Sequence, residues 1–264
     1  GRKKFYYSLS KKAARLANRV VTISSRSEKD LVQRWHLNPA KISVVYPGVN
    51  DAFRHEPSPE RTHAALEHYQ LQSGYIYAGG GLETRKNFDG LLRAYHMLQK
   101  MHHDGVLKVE LPPLVISGKL MPELAPLVTD VAALVQQLHL THSVRLLGFV
   151  PAEDLPILYR QARVFVYPSK YEGFGLPILE AMASGAPVAS ARTSSLPEVG
   201  GDAVQYFDPN HDQEIADAIE KLLTDHQTRE MLRHRGLERA QQFSWERFSR
   251  SVLDSTLALI SRKS

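Results

Sequence analysis

Strand-like and helix-like segments alternate from residue 75 to residue 207, and this alternation restricts the fold more than any other feature. The strand-like runs are short and rich in Val, Ile, Tyr and Phe. They are YIYAGG (75–80), PLVISG (113–118), SVRLLG (143–148), ARVFVYPS (162–169), APVAS (186–190) and AVQYF (203–207). Strands that alternate with helices form parallel sheets, so we predict an α/β fold with a doubly wound, Rossmann-like parallel sheet.

The predicted helices fill the intervals between these strands and continue beyond them. They cover Asn87 to about Met101, 123–139, 153–160, Gly175 to Ala183, 213–223, 227–241 and 244–261. Before residue 75 the pattern predicts a helix over 5–17, a strand at 19–24, a helix capped by Ser27 that ends near Trp35, and a strand at 42–48. The stretch 46–60, with its prolines and polar residues, is typical of a connector.

Composition excludes several classes of chemistry. The 264 residues include no cysteine, which removes disulfides, thiolate metal sites and cysteine nucleophiles. A formal net charge of +5 favours anionic ligands. No Asp-x-Asp pair, HExxH or GxSxG motif occurs, so we expect neither a metal site nor a nucleophile elbow. No nucleic-acid-binding signature and no apolar run of about 20 residues is present, so we expect a cytosolic protein, at most peripheral at the membrane.

Doubly wound sheets bind ligands at the carboxyl ends of their strands, so the loops after the strands are the candidate sites. After ARVFVYPS, Gly173 and Gly175 flank Phe174 and a helix begins. Glycines before a helix N-terminus favour phosphate, and Glu172 and Glu180 could accept hydrogen bonds from sugar hydroxyls. The alternative is a tight turn beside two solvated carboxylates.

A second glycine-rich loop, GGGLETRKN, follows the first predicted strand of this region. Its Arg85 and Lys86 could neutralise a diphosphate leaving group, or they are solvated cations on a flexible turn. The loops in ISGKL (116–120) and LLGFVP (146–151) could flank a base with main-chain groups, although neither is distinctive alone. Ile178 stands where a dinucleotide fingerprint needs its third glycine, which disfavours an NAD-dependent oxidoreductase.

Several separated motifs together resemble the retaining glycosyltransferases of the GT-B fold, family 4, also called glycosyl transferases group 1. They are GGGLETRKN, LVISGK, VRLLGFVPAEDLPILYRQARVFVYPS and YEGFGLPILEAMASGAPVASARTSSLPEVGGDAVQYFDP, followed by FSWERF. Such enzymes contain two Rossmann-like domains. The resemblance implies that 1–45 ends an N-terminal domain whose remainder is missing, and that 46–60 is a connector. It also implies that 61–243 binds a nucleotide sugar, and that 244–264 is a helix crossing back to the missing domain.

The same resemblance implies a role for each matched position. Glu172 looks like the glutamate near the donor sugar, Glu180 like the one on the ribose, and Lys86 with Arg85 like a diphosphate clamp. Gly81 stands where many members carry an arginine. The implied catalytic residues are Glu172, Lys86 and Arg85. The implied donor-binding residues are Gly80, Gly81, Gly118, Lys119, Phe149, Val150, Gly173, Phe174, Gly175, Leu176 and Glu180.

The implied activity is hexose transfer with retention of configuration, in polysaccharide biosynthesis. The donor is a GDP-sugar or UDP-sugar, with mannose favoured; the acceptor is a glycan or a lipid-linked glycan, and no cofactor or metal is needed. Basic residues at Arg2 to Lys4 leave peripheral contact at the inner face of the cell membrane open, and the apolar face of the last helix leaves pairing with another copy open. The alternative is a non-catalytic nucleotide-sugar-binding module that needs a partner domain.

Overall fold

The computed structural model describes residues 2–260, which form two compact units. The larger unit is Val49–Gln242, and the smaller comprises the described residues up to Gly48 and from Phe243 onward. The side chains of Arg2 to Lys4, for which membrane contact was left open, lie outside the described part, as does the end of the last predicted helix beyond residue 260.

Helices and strands follow each other in the predicted alternation. The helices are α1 (Arg2–Leu16), α2 (Ser25–Trp35), α3 (Pro59–His68), α4 (Phe88–His103), α5 (Val131–Gln137), α6 (Leu155–Gln161), α7 (Leu176–Ala183), α8 (Leu196–Gly200), α9 (Asp212–Thr224), α10 (His226–Ala240) and α11 (Trp245–Ile260). The strands are β1 (Val20–Thr22), β2 (Ile42–Val44), β3 (Ile76–Gly79), β4 (Leu114–Ser117), β5 (Val144–Gly148), β6 (Val164–Tyr167), β7 (Val188–Ala191) and β8 (Val204–Phe207).

The larger unit is built on a six-stranded parallel sheet with the order β5-β4-β3-β6-β7-β8. Its first strand, β3, lies in the middle: the chain moves outward to β5 and then returns to the other side of β3 to add β6, β7 and β8. This order reverses direction between β3 and β6, which is the switch point where doubly wound sheets bind ligands. The predicted parallel α/β sheet is confirmed.

The sheet is buried on both faces, and an aromatic cluster fills part of its core. Every residue of β3, β4, β6 and β7 is buried. The ring centroids of Tyr77 and Tyr159 lie 5.4 Å apart, and those of Tyr159 and Phe165 lie 4.9 Å apart. Each buried phenol needs a hydrogen-bond partner, and Tyr75 donates to the Leu158 carbonyl oxygen at 2.9 Å. The ring of Phe165 also lies 6.0 Å from that of Tyr167, the last residue of β6, so the cluster extends to the carboxyl end of that strand.

The smaller unit holds β1 and β2 as a two-stranded parallel sheet, with Val20 opposite Ile42. The prediction that Ser27 caps α2 is wrong. Ser24 is the N-cap, and its Oγ accepts the backbone N–H of Ser27 at 3.0 Å. An N-cap side chain reaches the N–H two or three residues later, so the helix begins three residues earlier than the Ser27 cap implied.

Two further segments differ from the prediction. The helix predicted over 123–139 is reduced to α5, because Pro126 interrupts the helical pattern before it. Helix α3 begins inside the predicted connector, where Ser58 caps it and Pro59 takes the first position. Within residues 2–260, none of the helices has the combined length and hydrophobicity of a membrane span.

Candidate functional site

The candidate site lies at the switch point, where the loops after β3 and β6 meet. A 3-10 turn, Thr84–Lys86, follows β3 and leads into α4, while the loop after β6 leads into α7. Parallel pairing of β3 with β6 brings the two loops to the same edge of the sheet. As a result Lys86 and Glu172, which are 86 residues apart in sequence, form an ion pair with 2.7 Å between Nζ and Oε1.

The Glu172 carboxylate is held through one of its two oxygens. Oε1 accepts hydrogen bonds from Lys86 Nζ (2.7 Å), Ser169 Oγ (2.7 Å), the Tyr167 hydroxyl (2.8 Å) and Arg85 Nη1 (2.9 Å). Burial of the carboxylate acts to raise its pKa, but the hydrogen bond and charge of Lys86, with the two hydroxyl donors, outweigh burial and lower the pKa of Glu172. Glu172 is therefore a buried, ionised acceptor rather than a solvated carboxylate.

Lys86 and Arg85 are adjacent in sequence but lie in different surroundings. The Lys86 side chain is 9% exposed, and its ammonium also donates to the Tyr167 hydroxyl and lies 4.9 Å from the centroid of that ring. Arg85 is 44% exposed and donates to the Tyr171 carbonyl oxygen at 3.0 Å as well as to Glu172. Lys86 is thus fixed inside the site, whereas Arg85 covers it from the solvent side.

Three consecutive hydroxyl residues after β7, Thr193, Ser194 and Ser195, hold the backbone of the loop after β6. We call them the hydroxyl clasp. Thr193 donates to the Ser169 carbonyl oxygen at 2.8 Å, and Ser194 Oγ accepts the backbone N–H of Glu172 at 2.8 Å. Ser195 Oγ donates to the carbonyl oxygens of Glu172 (3.0 Å) and Phe174 (2.7 Å). These positioning contacts were missed from the sequence, although a run of hydroxyls directly after a strand was a usable signal.

Gly175 is the N-cap of α7, and only glycine fits there. Its φ is +121°, and a Cβ would lie 2.8 Å from the Leu196 Cδ2 atom. Phe174 beside it is buried, Gly173 is half-buried and Leu176 is 39% exposed. The N-terminus of α7 carries partial positive charge and faces the same edge of the sheet as Lys86, so the predicted phosphate-binding residues lie on one side of the site.

Glu180 lies on α7 and differs electrostatically from Glu172. Burial raises the pKa of its carboxyl, although a hydrogen bond from the Tyr159 hydroxyl to Oε2 (3.1 Å) acts in the opposite direction. The partner Tyr159 comes from α6 and was not anticipated from the sequence. The two glutamates therefore form a pair in which one carboxyl is easier to ionise than usual and the other harder.

The remaining predicted residues lie in the loops after β3, β4 and β5. Gly118 donates its N–H to the Gly148 carbonyl oxygen at 2.7 Å, and a Cβ on Gly118 would lie 2.5 Å from the carbonyl oxygen of Gly80. These three loops are therefore in close contact at the sheet edge. Gly81, Lys119 and Phe149 are exposed and Val150 is buried, so among these four Val150 has least access to a ligand.

A cation site built from acidic and histidine side chains is not found within residues 2–260, where no group of three such side chains comes together. The groups that the switch point does offer are two cations, a helix N-terminus, two carboxylates and the glycine-rich loops. This arrangement can bind a phosphorylated ligand that also carries hydroxyl groups.

Known proteins are similar to this chain over most of its length. The chain is similar to O-antigen chain mannosyltransferase B of Escherichia coli, with 38% identity over 244 residues, which cover 90% of this chain and 60% of the relative. It is also similar to the D-inositol 3-phosphate glycosyltransferase of Salinispora tropica, with 33% identity over 248 residues, covering 90% of this chain and 50% of that protein. The chain thus spans three fifths or less of the length of these relatives.

Solved structures share the fold. A glycosyltransferase from Rickettsia africae superposes with a TM-score of 0.78 at 20% identity, over 92% of this chain and 65% of that one. Anabaena HepE, solved with UDP and glucose, gives a TM-score of 0.78 at 20% identity, over 93% of this chain and 64% of that one. The fold is that of the C-terminal part of GT-B glycosyltransferases. Residues 69–239 match the family model "Glycosyl transferases group 1", and the chain belongs to that family.

Proposed function

We propose that this chain carries the donor-binding part of a glycosyltransferase of polysaccharide biosynthesis. The enzyme transfers a hexose, most favourably mannose from GDP-mannose, to a glycan or lipid-linked acceptor, with retention of configuration and without a metal or other cofactor. The buried Lys86–Glu172 pair at the switch point carries this proposal. The mannosyltransferase name of the Escherichia coli relative supports the choice of sugar.

The proposed chemistry depends on the leaving group. When the bond between the anomeric carbon and the phosphate oxygen breaks, negative charge develops on the departing nucleoside diphosphate. Lys86, Arg85 and the N-terminus of α7 stabilise that charge, and they need little reorganisation because the site already holds them in place. Removing one such contact should cost on the order of 3 kcal/mol of transition-state stabilisation.

The two glutamates are assigned to hydroxyl groups of the donor. Oε1 of Glu172 already accepts four hydrogen bonds, so Oε2 is the oxygen that we assign to the sugar hydroxyls. Glu180 lies further along α7 and is assigned to the ribose. The loops that contain Gly80, Gly118 and Phe149 would contact the base, largely through main-chain groups.

The acceptor site is assigned to a region outside this chain, since the chain spans 60% of its mannosyltransferase relative. As part of the proposal, the protein works in the cytosol, peripherally at the inner face of the membrane, where a lipid-linked acceptor would lie. The apolar face of α11 is assigned to contact with the missing N-terminal domain rather than with a second copy.

Calorimetric titration with GDP-mannose, UDP-glucose and NAD tests donor binding. We expect GDP-mannose to bind most tightly, and Lys86→Ala to weaken it by about 100-fold, the loss typical of a buried charge-assisted contact. Lys100→Ala is the matched control, because Lys100 is an exposed lysine of α4. Equal affinity in the two variants would contradict the assigned site.

Turnover tests the rest of the proposal. Incubation of the full-length protein that contains this chain with GDP-mannose, a glycan acceptor and EDTA should give a product whose anomeric configuration, read by NMR, equals that of the donor. Inversion would disprove retention, and a requirement for added metal would disprove the metal-free mechanism. Donor binding without any transfer would support the non-catalytic module instead.

A further inference from the structure

The Tyr167 side chain contacts both members of the central ion pair, Lys86 and Glu172. It is the last residue of β6, and its hydroxyl donates to Glu172 Oε1 at 2.8 Å while it accepts a hydrogen bond from Lys86 Nζ. Its ring packs against that of Phe165, with centroids 6.0 Å apart, and the residue is 2% exposed. The phenol is therefore held by the sheet and not by the loops it joins.

We propose that Tyr167 is a positioning residue for glycosyl transfer, which holds the Lys86 ammonium and the Glu172 carboxylate in one fixed arrangement. The inference rests on the proposed function of the site. Tyr167 acts through these two side chains and does not itself contact the donor.

The flexibility of lysine explains why a third group is needed. A lysine ammonium ends a four-carbon stem with several rotatable bonds, so an ion pair alone leaves its direction loosely defined. A phenol has only two side-chain torsions, and here its ring lies in the core of the sheet. The Tyr167 hydroxyl takes one of the three ammonium N–H groups and Oε1 of Glu172 takes another, which leaves the third for a phosphate oxygen.

Tyr167 also helps Lys86 and Ser169 to lower the pKa of the Glu172 carboxyl. Burial and the nearby charge of Glu172 raise the pKa of the phenol well above its ordinary value, so it stays protonated and remains a donor at neutral pH. The charged groups that face this pair are Lys86 and Arg85 from the turn after β3 and Glu180 from α7. The neutral donors to Oε1 are the hydroxyls of Tyr167 and Ser169.

Ser169 provides an internal comparison. It donates to the same oxygen at 2.7 Å, but its other contacts are the carbonyl oxygens of Arg85 and Tyr171, both at 3.3 Å. Losing Ser169 therefore removes a donor to Glu172 while Lys86 keeps its phenol partner. Tyr167→Phe and Ser169→Ala should therefore lower kcat to different extents.

The test is Tyr167→Phe, with Tyr75→Phe as the matched control. Tyr75 is as buried as Tyr167 and stands before β3, at the end of the strand away from the site. Its hydroxyl donates to the Leu158 carbonyl oxygen, so each variant loses one buried hydrogen bond from a hydroxyl. In GDP-mannose turnover by the full-length protein, we expect Tyr167→Phe to lower kcat by about 10- to 100-fold, the range for hydrogen bonds to charged groups, with a much smaller change in KM. Tyr75→Phe should leave both constants unchanged.

The pH profile gives a second readout that a purely structural role would not affect. Loss of one donor raises the pKa of Glu172, so the acid limb of kcat/KM should shift to higher pH in Tyr167→Phe and in Ser169→Ala, but not in Tyr75→Phe. In Ser169→Ala the fall in kcat should be smaller than in Tyr167→Phe. If Tyr167→Phe does not fold, Ser169→Ala still tests whether a neutral donor to Oε1 sets the acid limb, and an unshifted limb would contradict that part of the inference.

Two results would overturn the inference. If Tyr167→Phe matches Tyr75→Phe in kcat and in its acid limb while Lys86→Ala abolishes turnover, the positioning role is wrong and the proposed function stands. If the full-length protein transfers sugar from no nucleotide-sugar donor, the proposed function fails, and this inference fails with it.

Discussion

Replacing Lys86 with methionine should lower the free energy of unfolding of the larger unit, because the Glu172 carboxylate then loses the ammonium that faces it at 2.7 Å. Removing one member of a buried ion pair leaves an uncompensated charge, which costs more than the pair itself contributes. Methionine keeps much of the volume of the lysine stem, so the change tests charge rather than packing.

The expected size follows from the burial of both partners. Their side chains are 9% and 11% exposed, which places them near the buried limit, where loss of one partner costs 3–5 kcal/mol. Arg85 keeps its 2.9 Å contact with Oε1, but it is 44% exposed and screened by solvent. We therefore expect Lys86→Met to lower the free energy of unfolding by about 3 kcal/mol at neutral pH, the lower end of that range.

The loss of stability caused by Lys86→Met should be smaller at acid pH. In the native protein the pKa of Glu172 is lowered, so its stabilising contribution is present above the unfolded pKa and is lost as the pH falls through the folded pKa. Lys86 makes the largest contributions that lower this pKa, so without it the pKa rises relative to the native protein and the variant regains stability as the carboxyl takes up a proton. The difference between the two proteins should thus be larger at pH 7.5 than at pH 4.5.

Urea unfolding at both pH values measures these differences. Lys100→Met should cost less than about 0.5 kcal/mol, because this lysine is exposed. The double variant Lys86→Met with Glu172→Gln should have a free energy of unfolding within about 1 kcal/mol of that of the unmodified protein, since the carboxylate charge left unpaired by Lys86→Met is removed. If Lys86→Met costs no more than Lys100→Met at pH 7.5, the ion pair does not stabilise the site and the reasoning is refuted.

Three further changes test other parts of the site. Ser195→Ala should cost about 1–2 kcal/mol in urea unfolding and weaken GDP-mannose binding, because it removes a buried donor from the loop after β6, whereas Ser73→Ala on the surface should do neither. Gly175→Ala should cost about 2 kcal/mol more than Gly105→Ala, since both glycines have positive φ but only the first has a side chain within 3 Å of the added methyl group; equal Tm losses would contradict this. Glu180→Gln should stabilise the protein more at pH 7 than at pH 4, because burial raises the pKa of Glu180 and ionisation as the pH rises is costly; an unchanged pH dependence of unfolding would disprove that shift.

Much of the sheet could be predicted from sequence because its signals are local. Each buried strand is a short run of β-branched and aromatic residues, and each is followed by a turn and a helical pattern. Lys86 and Glu172 could be singled out for the same reason, since both stand beside glycine-rich loops at strand ends. The assigned roles of these residues remain predictions.

What sequence reasoning missed depends on contacts between distant segments. The hydroxyl clasp lies more than 20 residues after the loop it holds, and Tyr159 precedes its partner Glu180 by 21 residues. Such contacts depend on strand order, which no local pattern contains. In the segment before α5, Pro126 was a local signal that the helix prediction passed over, and a distant contact adds to it: the backbone N–H of Thr129 donates to the Leu82 carbonyl oxygen at 2.8 Å.

The position of the ion pair across the switch point has a consequence for folding. Lys86 belongs to the half of the sheet that contains β3, β4 and β5, and Glu172 to the half with β6, β7 and β8. Neither half can assemble the pair alone, so a nucleotide sugar that needs both residues binds only after the halves have joined. Under the proposed function the donor is a ligand of the complete unit, and at 100 times its Kd it would stabilise that unit by about 2.7 kcal/mol. Two separately expressed halves should accordingly associate more tightly when the donor is present.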